Sequence, residues 1–172
     1  FLLKWAEAHQ DFEGALAIKL KQACQQIDFL RITEYCIEHQ QWDHARRWLT
    51  KAKTFKQERN GWHPVLELER LEQAILLHDG NVVQALTLQW DIFTRSALLA
   101  DYQRLLKLEQ QAGARPAYAG QARAFLQEQM QKSGNALFKL RYSNNLLEIC
   151  LYENDLASAL AVVQHYQVDP GL

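Results

Sequence analysis

His39-Gln-Gln-Trp-Asp-His-Ala45-Arg-Arg-Trp48-Leu49-Thr-Lys-Ala52 reads as the turn and second helix of a helix pair, and versions of it recur along the chain. They stand at His9-Gln-Asp-Phe-Glu-Gly-Ala15, at His78-Asp-Gly-Asn-Val-Val-Gln-Ala85 and at Glu153-Asn-Asp-Leu-Ala-Ser-Ala159, each with an apolar residue three before a small alanine. A weaker copy, Ala119-Gly-Gln-Ala122, fills the remaining gap. The key alanines fall at Ala15, Ala45, Ala85, Ala122 and Ala159, so the spacings are 30, 40, 37 and 37 residues. That is the period range of stacked helix–turn–helix repeats. A small residue at this point lets the two helices of a pair approach closely, and the apolar residue three before it is positioned to cover the turn.

Composition agrees with an all-α array. Of 172 residues 48% are apolar, enough for a continuous core, and only three prolines and seven glycines interrupt them. Pro64, Gly80, Gly113, Pro116 and Gly134 fall where helical patterns stop or start. The net charge of −1, from 19 basic and 20 acidic residues, provides no overall field for a polyanion or an acidic membrane surface. Nucleic acid is therefore not the expected partner. No apolar run approaches the roughly 20 residues that span a bilayer. Cys24, Cys36 and Cys150 are odd in number and widely spaced, which predicts reduced, buried thiols and no disulfide framework. The chain opens on Phe1, already in a helical pattern, and reads as an excised fragment of a longer protein.

Taken in order, Phe1 to about His9 is the tail of a first helix and Asp11 to Gln25 its partner. Asp28 is expected to cap the next helix. Trp42, Ala45, Trp48, Leu49, Ala52 and Phe55 recur on one helical face, with Arg46, Arg47, Lys51, Lys53 and Lys56 mainly off it. Asn60-Gly61 forms a turn and Pro64 suits the first turn of the following helix. Asp79-Gly80-Asn81 is the next turn, Ser96 is expected to open a helix, and Gly113 can end that helix in a left-handed conformation. Pro116 starts another, Leu137 to Tyr152 follows, and Asn154-Asp155 caps the last, which Asp169-Pro170-Gly171 stops. The expectation is a single domain over residues 1–172: a right-handed, tetratricopeptide-like α-solenoid of about five antiparallel helix pairs.

Several phrases carry a more particular likeness. Ala85-Leu-Thr-Leu-Gln-Trp90-Asp-Ile-Phe93-Thr-Arg-Ser96, with Leu99-Ala-Asp-Tyr102-Gln-Arg-Leu105, Ala45-Arg-Arg-Trp48 and Leu146-Leu-Glu-Ile-Cys-Leu-Tyr152-Glu-Asn-Asp-Leu-Ala-Ser-Ala159, resembles the C-terminal helical region of bacterial SWIM zinc-finger proteins. The resemblance covers nearly all of the chain. It implies an interaction scaffold in a cytoplasmic bacterial protein. The zinc motif of that family, C-x-C followed by C-x-H, does not occur in the sequence, so no metal ligand carries over and no cofactor is expected in this part.

Individual side chains narrow the function further. His9, His39 and His78 occupy equivalent turns, but successive pairs pack about 10 Å apart, too far for equivalent imidazoles to share one zinc at roughly 2 Å each. They are expected near helix C-termini, where the dipole favours them. Arg46, Arg47, Lys51, Lys53, Lys56 and Arg59 form a basic group that Glu58 and other acids dilute, so a solvated face is expected. Trp5, Trp42, Trp48 and Trp90 lie on core stripes or turns, whereas Trp62, in the loop before Pro64, is a candidate contact residue. There is no P-loop, G-x-S-x-G, H-E-x-x-H or dinucleotide fingerprint, and the three cysteines lie among apolar helix neighbours, where thiols are expected to be inert.

The function expected is therefore non-catalytic: a concave groove, lined by the first helix of each pair, that holds a peptide or protein segment. Its contact residues would be Arg31, Glu34, Glu67, Arg70, Gln103 and Arg141, with Lys107 and Asn145 behind them and Trp62 in its loop. An Arg/Glu lining favours a peptide of mixed charge. The alternatives are an assembly arm, packing on its own zinc module or on another copy through apolar patches at Phe1-Leu2-Leu3 or Val168 to Leu172, and an enzyme of unknown type.

Overall fold

A computed structural model of the chain describes residues 2–55, 65–113 and 117–166. Ten helices occupy them: α1 (Leu2–Ala8), α2 (Phe12–Gln22), α3 (Gln26–Glu38), α4 (Trp42–Thr54), α5 (Val65–His78), α6 (Val82–Ser96), α7 (Leu99–Gln111), α8 (Tyr118–Lys132), α9 (Ala136–Tyr152) and α10 (Leu156–His165). No strand occurs among the described residues, so the all-α class holds. The helices gather into two compact units, Phe1–Asn81 and Val82–Leu172.

One turn chemistry recurs across both units. At the ends of α1, α3, α5 and α9 a left-handed residue follows the helix: Gln10 (φ 55°), Gln40 (58°), Gly80 (75°) and Asn154 (57°). The next residue donates its N–H back to the carbonyl five before it, as Asp11 to Ala6 (2.9 Å), Gln41 to Cys36 (2.8 Å), Asn81 to Leu76 (2.8 Å) and Asp155 to Cys150 (2.9 Å). This is the Schellman arrangement, which satisfies carbonyls that the helix end leaves open. The donor residue also starts the next helix, and the Asp11 and Asp155 carboxylates accept the N–H groups of Gly14 (2.9 Å) and Ser158 (3.1 Å). Gly113 is left-handed too (φ 62°), as expected at the end of α7.

In the first unit α1 packs on α2, α2 on α3, α3 on α4, and both α3 and α4 on α5. Leu16, Phe29, Ile32, Cys36, Leu49 and Ile75 form its core, with Phe12, Trp42 and Trp48 packed against it. In the second unit α6 packs on α7, α7 on α8 and α9, α8 on α9, and α9 on α10. Phe93, Tyr102, Leu105, Leu126, Leu146 and Ile149 are buried there. The five key alanines are buried: Ala15, Ala45, Ala85 and Ala122 fully, and Ala159 to 5% exposure.

Asp28 caps α3 as expected, from the third helical position: its Oδ2 accepts the N–H groups of Cys24 (3.0 Å) and Gln25 (2.9 Å). Two local expectations are corrected. Ser96 ends α6, and its hydroxyl accepts the N–H of Leu98 (3.3 Å) just before α7 begins. Left-handed Ala97 (φ 57°) makes the break between them. Cys24 is exposed in the α2–α3 connector, because α2 ends at Gln22 and the apolar stripe does not continue through it. The expected features at 57–64, Pro116 and 169–171 lie outside the described residues.

Candidate functional site

The residues expected to contact a partner divide between the units. Arg31 and Glu34 are exposed on α3, and Glu67 and Arg70 are exposed on α5, which packs directly on α3. Each couple is three residues apart, so its members lie on one side of their helix. Arg31 also edges a cleft of about 200 Å³ bounded by Leu3, Lys19, Gln22 and Asp28. In the second unit Gln103 and Lys107 are exposed on α7 and Arg141 on α9, and these helices also touch. Arg141 donates through Nη2 to the Ser96 carbonyl (2.6 Å), bracing the C-terminal end of α6.

Asn145 is corrected: it is 8% exposed, because α9 packs against α7, α8 and α10 and its buried arc is wide enough to include it. Trp62 lies outside the described residues, as do residues 167–172 and the side chains of Phe1 and Leu2, where apolar patches for an assembly arm are expected. The side chain of Trp5 lies outside them as well.

A polar cluster that the sequence reading missed joins three elements of the second unit. Arg123, on α8, reaches the α9–α10 turn: Nη1 donates to Asp155 Oδ2 (2.6 Å) and Nη2 to Glu153. The other Glu153 oxygen accepts the hydroxyl of Tyr102 from α7. The Ser158 backbone N–H, its hydroxyl and the Arg123 guanidinium together hold the Asp155 carboxyl down to about 2. Burial pushes the Tyr102 hydroxyl up to about 12.

Arg123 also borders a cleft of about 230 Å³ with Gln127, Cys150, Ser158, His165 and Tyr166. Cys150 is 1% exposed and burial raises its pKa, so its thiol is held in the unreactive protonated form. With Arg123 engaged by two carboxylates, the arrangement fastens a turn to its neighbours.

The first unit repeats the device. Arg46, on α4, grips Asp79 in the turn after α5 through Nη2 and through Nε (3.3 Å), and it also meets Asp43 (2.6 Å). The hydrogen bond from Arg46 holds the Asp79 carboxyl below the usual range. Arg46 and Arg123 each directly follow a key alanine, and each grips an acid in the turn that ends the next helix, α5 or α9. The sequence signal was present in Ala45-Arg46 and Ala122-Arg123, but the partners lie 33 and 30 to 32 residues away.

Two of the turn histidines, His39 and His78, lie against aromatic rings. Trp42, the first residue of α4, stacks on His78 at the end of α5 (centroids 3.9 Å apart). Phe12, the first residue of α2, lies 5.8 Å from His39 and stacks on Tyr35 (5.5 Å) at the end of α3. Phe12 and Trp42, each three before its alanine, thus cover the turn at the end of the next first helix, α3 or α5, rather than the turn before their own helix. Among the described residues no three His, Cys, Asp or Glu side chains gather as metal ligands.

The basic group meets acids and rings: Lys53 pairs with Glu72 (2.6 Å) and Arg47 lies over Trp48 (5.2 Å). Trp42 and Trp48 pack against the first core, and Trp90 lies within 6.2 Å of Phe93, Tyr118 and Phe125. Burial raises the Cys36 thiol to about 11.

Among the described residues no helix is long and apolar enough to cross a membrane. No protein-family model matches the chain, and neither does any curated protein or solved structure.

Proposed function

We propose that this chain is a non-catalytic protein-interaction scaffold: a tetratricopeptide-like, right-handed α-solenoid whose first helices hold a peptide or protein segment of mixed charge. The observation that carries the reading is the packing of first helix on first helix within each unit, α3 on α5 and α7 on α9. That packing sets exposed Arg31 and Glu34 beside the helix bearing Glu67 and Arg70, and exposed Gln103 beside the helix bearing Arg141. A row of first helices with polar residues pointing away from the core is the surface such arrays use for extended ligands.

The four Schellman turns support a repeat origin for the array. The likeness to the helical region of bacterial SWIM zinc-finger proteins fits the same reading, since Trp90, Phe93 and Tyr102 build the aromatic core of the second unit. In that reading the chain works in the bacterial cytoplasm and needs no cofactor of its own.

The test compares wild type with Glu34→Lys/Glu67→Lys, both checked by circular dichroism. Proteins captured from bacterial lysate are identified, purified and re-titrated against each form. Loss of a purified partner's affinity only in the charge-reversed form supports the scaffold. Equal capture by both forms, or none by either, overturns it.

A further inference from the structure

The turns that end α3 and α5 each receive an aromatic ring, and the two contacts differ. Trp42 lies flat on His78, with 3.9 Å between ring centres and 16° between ring planes. Phe12 is smaller, and its ring stands 5.8 Å from His39 at a tilt of 41°. Beside it opens a cleft of about 390 Å³ lined by Gln10, Phe12, Tyr35, His39 and Gln41. Small-ligand sites begin at roughly 300 Å³. The cleft lies between the α1–α2 and α3–α4 turns, inside the first unit and with the helices on both sides of each turn in place.

The lining sets the chemistry of an occupant. Phe12 and Tyr35 hold their rings parallel, 5.5 Å apart, and the His39 ring lies 4.2 Å from that of Tyr35, so three rings border one space. No Asp, Glu, Lys or Arg lines the cleft, and a charge buried there would have no partner. A cation would also meet a like charge, because Lys19 Nζ already lies 4.5 Å from the centre of the Tyr35 ring. The occupant is therefore uncharged and aromatic.

His39 adds a polar requirement. Its Nδ1 lies 2.9 Å from the Tyr35 carbonyl oxygen, which can only accept, so Nδ1 carries the ring proton and Nε2 of the neutral ring is an acceptor. Gln10 and Gln41 are exposed and supply carboxamides that can pair with a peptide main chain.

We propose that this cleft takes the side chain of a tryptophan from a partner protein. The indole supplies the flat contact that Phe12 does not make with His39, and its N–H supplies the donor for Nε2. Trp42 on His78 is the chain's own example of an indole against a turn histidine. A phenylalanine side chain has no donor, and an aliphatic one makes no ring stack. The inference goes beyond the mixed-charge reading and does not depend on the Arg31–Arg70 face.

The probe is a fluorinated N-acetyltryptophanamide, titrated against the 172-residue chain and followed by fluorine NMR. Saturable binding with a Kd on the order of 1 mM is the expected result for a single side chain. Phe12→Trp, which puts an indole where α4 has one, should weaken it at least about fivefold. His39→Ala, at an exposed residue, should do so independently. Circular dichroism checks the folding of both. The corresponding phenylalanine amide should bind at least about threefold more weakly than the tryptophan probe. Glu34→Lys/Glu67→Lys should change nothing, so the cleft and the first-helix face fail separately.

Absence of saturation up to about 10 mM, or equal affinity for wild type and both variants, overturns the proposal. Equal affinity for the phenylalanine probe overturns the assignment to tryptophan. Concentration-dependent sedimentation of the wild type that Phe12→Trp abolishes would make the occupant a second copy, and overturns it as well.

Discussion

Truncating the leucine that follows the key alanine in three helices separates two buried positions from an exposed one. Leu16 and Leu86 are nearly fully buried, so Leu16→Ala and Leu86→Ala each lose the transfer free energy of the removed carbons and leave a cavity, the two effects costing about 3 kcal/mol per variant. Leu160 is 58% exposed and keeps more than half of its contact with water in the folded chain. Leu160→Ala should cost less than about 1 kcal/mol, part of which the higher helix propensity of alanine offsets. In a chain of this length, about 3 kcal/mol corresponds to a fall in melting temperature of roughly 6–12 °C.

Urea unfolding at 222 nm, followed in parallel by tryptophan fluorescence, reads the three variants. Trp90 is the one tryptophan in the sequence of the second unit, so a variant with the other tryptophans replaced by phenylalanine reports that unit alone. If Leu160→Ala moves the midpoint as far as Leu86→Ala, Leu160 is covered within the chain and its exposure does not hold in solution. If Leu16→Ala and Leu86→Ala are both neutral, the residue after the key alanine is not where α2 packs on α3 and α6 on α7.

Other perturbations address the remaining contacts. Ala45→Leu should overpack a fully buried contact and destabilise by roughly 1–3 kcal/mol, read as a lower urea midpoint with unchanged slope. A double-mutant cycle on Trp42→Ala and His78→Ala should return a coupling of about 0.5–1.5 kcal/mol for the stacked rings, and a zero coupling would remove the histidine's role as a stacking surface. The Asp155 carboxyl lies below its ordinary 3.8, at about 2, so its stabilisation is complete above the ordinary value and is lost as pH falls toward the folded one. The difference in urea midpoint between wild type and Asp155→Asn should therefore shrink between those two pH values, and a constant difference would refute the assignment. Tyr102 has the opposite sign: raised to about 12 from 10, it contributes stability that is complete below pH 10 and declines as pH rises through the higher value, a decline that Tyr102→Phe should remove.

Helices, turns and buried alanines were legible in the sequence because they depend on local spacing. A small residue every 30 to 40 positions and a turn residue before each second helix are patterns one strand of text can hold. Boundaries set by a single polar side chain were less legible. Asp28 is as good a residue for the third helical position as for the cap, and Ser96 closes one helix shortly before another opens, so its neighbours do not say which it serves. The burial of Asn145 depends on α9 having three neighbours, which no periodicity reveals. The grips of Arg46 and Arg123 were hidden for a similar reason: each arginine looks solvent-facing on its own helix, and the acid that claims it arrives 33 or 30 residues later. Exposure of the first-helix residues Arg31, Glu34, Glu67 and Arg70 was legible, since they leave the apolar stripe of their own helices.

The residue after each key alanine reads Leu16, Arg46, Leu86, Arg123, Leu160, so leucine and arginine alternate without exception along the array. The joints they make obey different solvents. Ionic strength near 0.15 M already screens charges beyond about 8 Å, and more salt weakens the partly exposed arginine grips while leaving or strengthening the leucine contacts. Each unit holds one covered joint of either kind, so added salt should loosen the seam at Arg46 or Arg123 before the apolar seam at Leu16 or Leu86 gives way.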